Sequence, residues 1–333
     1  MIPCSVLRGG TSKGIFFLSK HLPSLQSDLK ECNEIIQRAM GVPDPSGMQL
    51  NGMGGGISST SKVCIISPSA ISGYHLDYQF GQVDMKSGDI DWVGTCGNLA
   101  SAVYLFALTE RLIDESLPIV NVRCVTPMGS SPSSFILKPT TVRSIAGVPS
   151  TSKGVDVGSR GPALIDLYEC LGIPISVILK GNYTVFAREE DLSSENMVQL
   201  RHAAARALGQ EADSVIVRLS AVSGPKHFTS SSGTLIKSDE MDVFAKITTP
   251  GRDWHHAYTA SSLANLAAAC VLKGTIPNKI CQTPMTPGVV RIGHPGGVTN
   301  VSAEYNERTG ETTLFIPRSA RLLMQGYVNT SFL

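Results

Sequence analysis

Apolar residues occupy every side of the helical projection in two segments of the chain. Residues 97–109 and 257–272 are built largely from Ala, Ser, Leu and Val. A helix with one face in water could not tolerate that composition. We therefore expect each segment to form a buried helix at the centre of its own domain.

Two further segments are amphipathic and are expected to form surface helices. Residues 27–40 end before Gly41, and residues 194–208 end at Gly209, because glycine commonly follows the last turn of a helix. Apolar runs rich in β-branched residues predict strands, which we place at residues 63–66, 119–122, 175–179 and 215–217.

The length of the chain indicates two domains. Its 333 residues exceed what one ordinary hydrophobic core organises, and one apolar helix lies in each half. We predict an N-terminal lobe over residues 1–140, completed by a C-terminal segment near 325–333, and a C-terminal lobe over residues 141–324. A ligand is expected between the N-termini of the two buried helices.

Charge and cysteine usage narrow the class of function. Lys and Arg number 28 against 27 Asp and Glu, a formal charge of +1, so neither nucleic acid nor a membrane is expected as a partner. No apolar run reaches about 18 residues, no secretory leader is recognisable, and the eight cysteines include no C-x-x-C pair. We expect a cytoplasmic protein with reduced cysteines that acts on a small ligand.

One cysteine directly precedes the N-terminus of the first apolar helix. Cys96 is followed by Gly97 and Asn98 and then directly by the apolar run. The unpaired N–H groups and the dipole at a helix N-terminus stabilise a thiolate, and they also attract a carboxylate or an oxyanion. The pattern therefore indicates chemistry on an organic acid.

Three glycine-rich stretches could place backbone N–H groups around an anion. They cover residues 8–14, 52–62 and 293–297, with Ser, Thr, Lys, Arg or His among the glycines. A nucleotide-binding loop would be followed by a helix, whereas residues 8–14 and 52–62 precede strand-like runs. The stretches therefore suit carboxylates better than phosphates.

Five motifs in the same order resemble the PrpF family. They are Arg-Gly-Gly-Thr-Ser-Lys-Gly at 8–14, Gly-Gly-Gly-x-Ser-Ser-Thr-Ser-Lys at 54–62, Cys-Gly-Asn at 96–98, Gly-His-Pro at 293–295 and the stretch from Arg318 to Gly326. The resemblance spans essentially the whole chain. The family contains 2-methylaconitate cis–trans isomerase and relatives that act on aconitate, methylitaconate and oxalomesaconate.

The resemblance implies a diaminopimelate-epimerase-like fold. This is an α/β (α+β) architecture with two pseudo-symmetric lobes, each of which wraps strands around a central buried helix. The implied activity is cis–trans isomerisation, or an allylic shift of the double bond, in a small unsaturated di- or tricarboxylic acid. The family's catalytic lysine and cysteine fall on Lys62 and Cys96.

The second lobe lacks a matching thiol at its helix entrance. Diaminopimelate epimerase uses two facing cysteines, whereas this chain offers Thr259, Ser261 and Ser262, and Cys270 lies about two turns deeper in the helix. A two-thiol racemase is therefore not expected.

An allylic proton is weakly acidic, so its removal needs a placed base and hydrogen-bond donors on the carboxylate that becomes enolate-like. Lys62 is the candidate base. Cys96 donates or shuttles the proton from the other side, or holds a carboxylate beside the helix. This scheme requires no metal and no organic cofactor, and the sequence shows no clear set of metal ligands, so none is expected.

The glycine-rich stretches and the starts of the two buried helices supply the candidate substrate-binding residues. These are Arg8, Thr11, Ser12, Lys13, Ser58, Ser59, Thr60, Gly97, Asn98, His255, Ser261, Arg291, His294 and Gly296.

Several positions depart from the family pattern and leave the substrate open. Thr95 replaces an asparagine, Gly296 replaces a serine, and Ser261-Ser262 replaces a Thr-Gly pair. A specialised biosynthetic acid is therefore an alternative to 2-methylaconitate.

Two other classes of function and the oligomeric state also stay open. A cysteine hydrolase would need the His255 or His294 ring within hydrogen-bond reach of the Cys96 sulfur. The chain could instead be a non-catalytic accessory protein of a dehydratase. A homodimer is left open.

Overall fold

The computed structural model describes residues 1–140, 153–162, 164–180, 182–212, 217–248, 254–281 and 288–331. The chain forms two compact units. Unit 1 comprises Met1–Gly158 and Pro317–Leu333, and unit 2 comprises Ser159–Ile316. The sequence-based boundaries at 140/141 and 324/325 lie 18 and 8 residues away from these limits.

Unit 1 begins with a strand hairpin and contains two helices. Its elements in chain order are β1 (Ile2–Gly9), β2 (Ser12–Leu18), α1 (Leu29–Met40), β3 (Lys62–Pro68), β4 (Leu76–Val83), β5 (Ile90–Asp91), α2 (Gly97–Thr109), β6 (Val120–Thr126), β7 (Gly129–Thr140) and β8 (Lys153–Pro162), whose last residues belong to unit 2.

In its described residues, unit 2 contains three α-helices and most of the remaining strands. Its elements are β9 (Leu164–Cys170), β10 (Ile173–Lys180), β11 (Asn182–Arg188), α3 (Asn196–Ala207), β12 (Val217–Ser223), β13 (Phe228–Thr229), β14 (Leu235–Ile236), β15 (Val243–Ile247), α4 (Ala260–Val271), α5 (Ile276–Cys281), β16 (Val289–His294) and β17 (Gly297–Asn306). Strand β18 (Glu311–Val328) pairs with β17 in unit 2 and with β1 in unit 1.

The sheet of unit 1 separates two hydrophobic clusters, one on each face. Its strand order is β1-β2-β3-β4-β6-β7-β8-β18, and β18 also pairs with β1, which closes the strands into a barrel. Successive side chains of a strand point to opposite faces. Cys64 and Ile66 of β3 therefore pack with α2, whereas Val63 and Ile65 pack with α1. Helix α2 is buried along most of its length, as its apolar composition predicts.

Unit 2 repeats this arrangement around α4. The strand order is β9-β10-β11-β12-β15-β16-β17-β18. Ile178 and Phe186 face α4, whereas Val177 and Val185 face α3. Helix α4 is buried over nearly all of its residues, because it too is apolar on every side.

Among the described residues, the patterns predicted four of the five α-helices but only four of the eighteen strands. Helix α2 has the predicted limits, and the other three predicted helices start two to three residues later than expected, with α4 beginning after Thr259. The sequence did not predict α5, a six-residue helix that contains Pro277. Val217 lies in β12, while positions 215 and 216 lie outside the described residues. Among the described helices, none is long and apolar enough to cross a membrane.

Candidate active site

Lys62 is the first residue of β3 and lies on the face that packs against α2. It shares that face with Cys64, two residues along the strand. Only 8 % of Lys62 is exposed. Its Nζ donates a hydrogen bond to Gln82 Oε1 at 2.5 Å and lies 5.2 Å from the centroid of the Phe80 ring. The amine is therefore held in one place by neutral neighbours.

Cys96 is the residue that precedes the first turn of α2. Its backbone is extended, with φ −129° and ψ 98°, and its side chain makes no capping hydrogen bond. The thiol is half-buried, and its Sγ lies 3.9 Å from Ser12 Oγ. The Tyr78 hydroxyl donates to the Cys96 carbonyl oxygen at 3.3 Å, which fixes the backbone at the start of the helix.

A second, buried thiol connects the two candidate catalytic residues. Burial raises the pKa of Cys64, and the charge of Cys96 raises it further, while the Tyr78 hydroxyl and the Lys62 charge act in the opposite direction. Tyr78 Oη lies 3.9 Å from Cys64 Sγ. Because the Tyr78 hydroxyl contacts both Cys64 Sγ and the Cys96 carbonyl, and Lys62 shares the Cys64 face of β3, unit 1 brings the amine and the thiol into one region.

The turn between β1 and β2 packs against the first turn of α2. Strand pairing extends to Gly9 and Ser12, so only Gly10 and Thr11 form the turn. Asn98 Nδ2 donates to Thr11 Oγ1 at 3.1 Å. A Cβ atom on Gly9 would lie 2.4 Å from the Asn98 carbonyl oxygen, and glycine is required for this approach.

The glycine-rich stretch before β3 lies beside the same turn. The backbone N–H of Lys13 donates to the Ser59 carbonyl at 2.9 Å. The buried side chain of Gln49 binds this stretch through two hydrogen bonds. Its Oε1 accepts from Gly56 N at 2.9 Å and from Ser61 Oγ at 2.6 Å. The three motifs at residues 8–14, 54–62 and 96–98 therefore meet in unit 1.

Two arginines add positive charge near the start of α2. Arg318 Nε donates to Asn98 Oδ1 at 3.1 Å. Burial lowers the pKa of Arg318 to about 10, and the Cys96 charge opposes that effect. Burial, followed by the charge of Arg321, lowers the pKa of Arg8. An arginine remains protonated near neutral pH, so this region attracts anions.

The family model described as "PrpF protein" matches residues 1–131 and 179–331 of the chain. This match covers most of the sequence. The chain belongs to the PrpF family. The recognition made from the five motifs is thereby confirmed.

Relatives of this PrpF-family chain carry the names of isomerases. It is 30% identical to the 2-methyl-aconitate isomerase of Shewanella oneidensis, over 98% of this chain and 96% of the relative. It is 27% identical to the 3-methylitaconate isomerase of Eubacterium barkeri, with the same coverage. The predicted enzyme class, isomerase, is confirmed.

A solved structure confirms the predicted fold class. The crystal structure of a methylitaconate-delta-isomerase superimposes with a TM-score of 0.79 and covers 98% of this chain and 95% of that chain, at 24% sequence identity. A phenazine biosynthesis protein of the PhzF family, from Bacillus anthracis, superimposes with a TM-score of 0.55.

The remaining candidate residues of this PrpF-family protein lie in unit 2. Ser261 lies in the first turn of α4. His294 accepts the Gly296 N–H at Nδ1, 3.1 Å away, and its Nε2 lies 2.9 Å from Thr299 Oγ1. His255 accepts the Ala257 N–H at Nδ1, 3.0 Å away. Both rings therefore organise local backbone of unit 2.

Arg291 is occupied by a structural ion pair. Its Nη2 lies 3.0 Å from Asp242 Oδ1 and its Nη1 donates to the Asp239 carbonyl at 2.7 Å. The Asp242 side chain is almost completely buried. Removing Arg291 would leave a buried charge uncompensated, so we leave this residue out of the proposed binding set.

Sequence reasoning missed several residues at these sites. Gln82 and Gln49 hold Lys62 and the stretch before it, and nothing in a lone glutamine indicates that role. In unit 2, Nε of Arg218 is buried without a hydrogen-bond partner. Among the described residues, no group of three or more His, Cys, Asp or Glu side chains could hold a metal ion.

Proposed function

We propose that this PrpF-family protein isomerises a small unsaturated di- or tricarboxylic acid by transferring a proton between Lys62, the substrate and Cys96. One observation carries the proposal. A buried lysine and a half-buried cysteine lie in unit 1 beside the start of α2, where the Tyr78 hydroxyl contacts both the Cys96 carbonyl and Cys64, the residue that shares the Lys62 face of β3. The isomerase names of the relatives support the same reaction class.

The acid would be held by positive charge and by the start of α2. The guanidinium groups of Arg318 and Arg8 are partly desolvated by burial. Such cations bind carboxylates strongly, because less hydration is lost on binding. The first N–H groups of α2 have no partner within the helix, and they attract the same charge.

The reaction then requires one abstraction and one return of a proton. Lys62, in its neutral form, removes an allylic proton from the carbon next to the carboxylate-bearing double bond and becomes an ammonium. The electron pair delocalises over the double bond and the carboxylate as a dienolate, which donors on the carboxylate stabilise. The Cys96 thiol returns a proton either to the carbon that lost it or to the distal carbon of the former double bond, and proton exchange with solvent restores the neutral amine and the thiol.

This sequence of steps explains why one pair of residues serves two outcomes. Rotation in the dienolate before the proton returns gives cis–trans isomerisation. Return of the proton to the distal carbon moves the double bond. Neither route transfers electrons to or from the acid, so the proposal includes no cofactor.

Proton NMR in deuterated water tests the proposal with a panel of aconitate, 2-methylaconitate, itaconate and mesaconate derivatives. Wild-type protein should incorporate solvent deuterium at an allylic carbon of one acid and convert it into an isomer. Lys62→Ala and Cys96→Ala should each reduce the rate at least about 1,000-fold, since each removes a group that transfers a proton. Lys20→Ala and Cys170→Ala are the matched controls and should retain the rate.

Full deuterium exchange in Lys62→Ala would rule out this role for the amine. If no acid in the panel reacts and the protein instead co-purifies with a dehydratase whose activity survives Lys62→Ala, the accessory function replaces the enzymatic one.

A further inference from the structure

The nearest polar neighbour of the Lys62 amine lies directly across the sheet. Lys62 and Gln82 are paired residues of the antiparallel strands β3 and β4. Such pairs bring their Cβ atoms within about 5.5 Å of each other, and here the side chains meet, with Lys62 Nζ donating to Gln82 Oε1 at 2.5 Å. The residue that touches the amine is thus set by strand register.

The other end of the Gln82 amide is anchored to the glycine-rich stretch. Its Nε2 donates to the Ser61 carbonyl at 3.1 Å and to the Ser58 carbonyl at 3.3 Å. A flipped amide would set its NH₂ group against the Lys62 amine and its oxygen against two carbonyl oxygens. The contact of the amide oxygen with two carbonyl oxygens would repel in either protonation state of Lys62, so the amide oxygen faces Lys62.

The ionisable groups on the elements packed around Lys62 are few. Cys64 lies on β3, Tyr78 on β4 and Cys96 before α2, all on the α2 side of the sheet. Asp91 of β5 is paired with Gln82 and therefore shares its face, and its carboxylate accepts the Val93 N–H at 2.8 Å. Lys13 of β2 lies on the opposite side, since its neighbours Ser12 and Gly14 alternate with it. A carboxylate beside an amine would favour its ammonium form. A neutral amide oxygen orients the amine without adding that negative charge.

We propose that Gln82 is a positioning residue that orients the Lys62 amine without stabilising its protonated form. This inference rests on the proposed function, in which Lys62 accepts a proton from the acid. The chemistry requires a neutral acceptor at this position, because an acidic partner would keep Lys62 as an ammonium.

Two substitutions separate charge from shape. Gln82→Glu and Gln82→Met both lose the hydrogen bonds to Ser58 and Ser61, but only the first adds a negative charge. In Gln82→Glu, the acid limb of kcat/KM should move upward by about one to three pH units. Activity at neutral pH should fall about 10- to 100-fold and recover as the pH is raised.

Gln82→Met should behave differently. Its kcat should fall about 10-fold at every pH, because the orientation of the Lys62 amine is lost. KM should change less than about 2-fold. The acid limb should not move upward, because no charge is added. Gln79→Glu is the matched control. It makes the same change three residues away on β4, on the other face of the sheet, and should leave the profile where it is.

A second measurement does not depend on turnover. Labelling of Lys62 by an amine-directed reagent, mapped by mass spectrometry across pH, reports the neutral amine directly, and Lys62→Ala identifies the peptide. Gln82→Glu should shift this labelling curve upward by the same amount as the acid limb. If no acid is isomerised but the curve still shifts, the proposed function fails while the positioning role stands.

Identical labelling curves and identical pH profiles in wild type and Gln82→Glu would overturn the inference. Wild-type kcat in Gln82→Met would overturn it as well. A loss of activity in Gln82→Glu that is equal at all pH values, with an unshifted labelling curve, would assign Gln82 a purely structural role.

Discussion

The guanidinium Nε of Arg318 lies 3.1 Å from the side-chain oxygen of Asn98, a residue 220 positions earlier in the chain. The contact joins β18 to the first turn of α2. It places a half-buried cation at the start of the helix that Cys96 precedes. Among the described residues, the side-chain hydrogen bonds of Arg318 go to neutral groups, Asn98 and the Pro317 carbonyl, and in the proposed function a substrate carboxylate is its charged partner.

Replacement of this arginine should affect binding more than folding. Arg318→Met should lower kcat/KM about 10- to 100-fold, mainly through KM, because a hydrogen bond to a charged group contributes about 1.5–3 kcal/mol. Steady-state kinetics with the active acid measures this, and Arg308→Met, in the exposed turn before β18, is the control. An unchanged KM with a lowered melting temperature would show that Arg318 is structural.

Gln49 should be essential for the shape of the stretch before β3. Its amide bonds the Met40 carbonyl at 3.1 Å as well as Gly56 and Ser61. Gln49→Leu leaves buried polar groups unsatisfied and should lower the free energy of unfolding by about 2–4 kcal/mol. Urea unfolding measures the loss. Gln26→Leu, at an exposed position, should cost less than about 0.5 kcal/mol, and equal costs would refute the prediction.

Gly9 should resist substitution although it lies in a strand. A Cβ atom there would lie 2.4 Å from the Asn98 carbonyl oxygen and 3.1 Å from Leu99 Cα, so α2 must move. Gly9→Ala should cost about 1–3 kcal/mol of stability and reduce turnover. Gly326→Ala is the comparison, because its nearest atom, Met324 Sδ, lies 3.5 Å away. Thermal melts of both variants measure the loss of stability, and a stable, active Gly9→Ala would contradict the packing argument.

Stability in acid should depend on Glu189 of unit 2. Burial disfavours its ionisation, but hydrogen bonds from Lys226 and Lys246 outweigh burial and lower the pKa of Glu189 to about 2. A carboxyl whose pKa is depressed on folding stabilises the protein above its unfolded pKa, and this contribution is lost as the pH falls toward the folded value. The free energy of unfolding should therefore fall between about pH 5 and pH 2.

Glu189→Gln tests this dependence. The variant should be less stable than wild type at neutral pH, and the difference should shrink as the solution is acidified. Denaturant unfolding at several pH values measures it. Glu190→Gln is the neighbouring control, since its carboxylate is 75% exposed. A constant difference between wild type and Glu189→Gln across this range would exclude the assigned pairing.

The central helices were readable because a helix buried on all sides is apolar on all sides. Helix α2 has the limits that its apolar run predicts, and Cys96 lies at its start as expected. The glycine-rich stretch at residues 8–14 was predicted as a loop before a strand, yet all but Gly10 and Thr11 lie in the β1–β2 hairpin. Local composition indicated a turn but not how tightly the strands pair.

The sequence by itself determined the two buried helices, the motifs of the PrpF family and the candidate pair Lys62 and Cys96. Only the tertiary structure decided which neighbours those residues have. Gln82 touches Lys62 because β3 and β4 pair in one register, and Arg318 reaches Asn98 because β18 pairs with β1. The apolar character of a segment is a local property, whereas the partner of a polar side chain depends on strands that meet only in the folded chain.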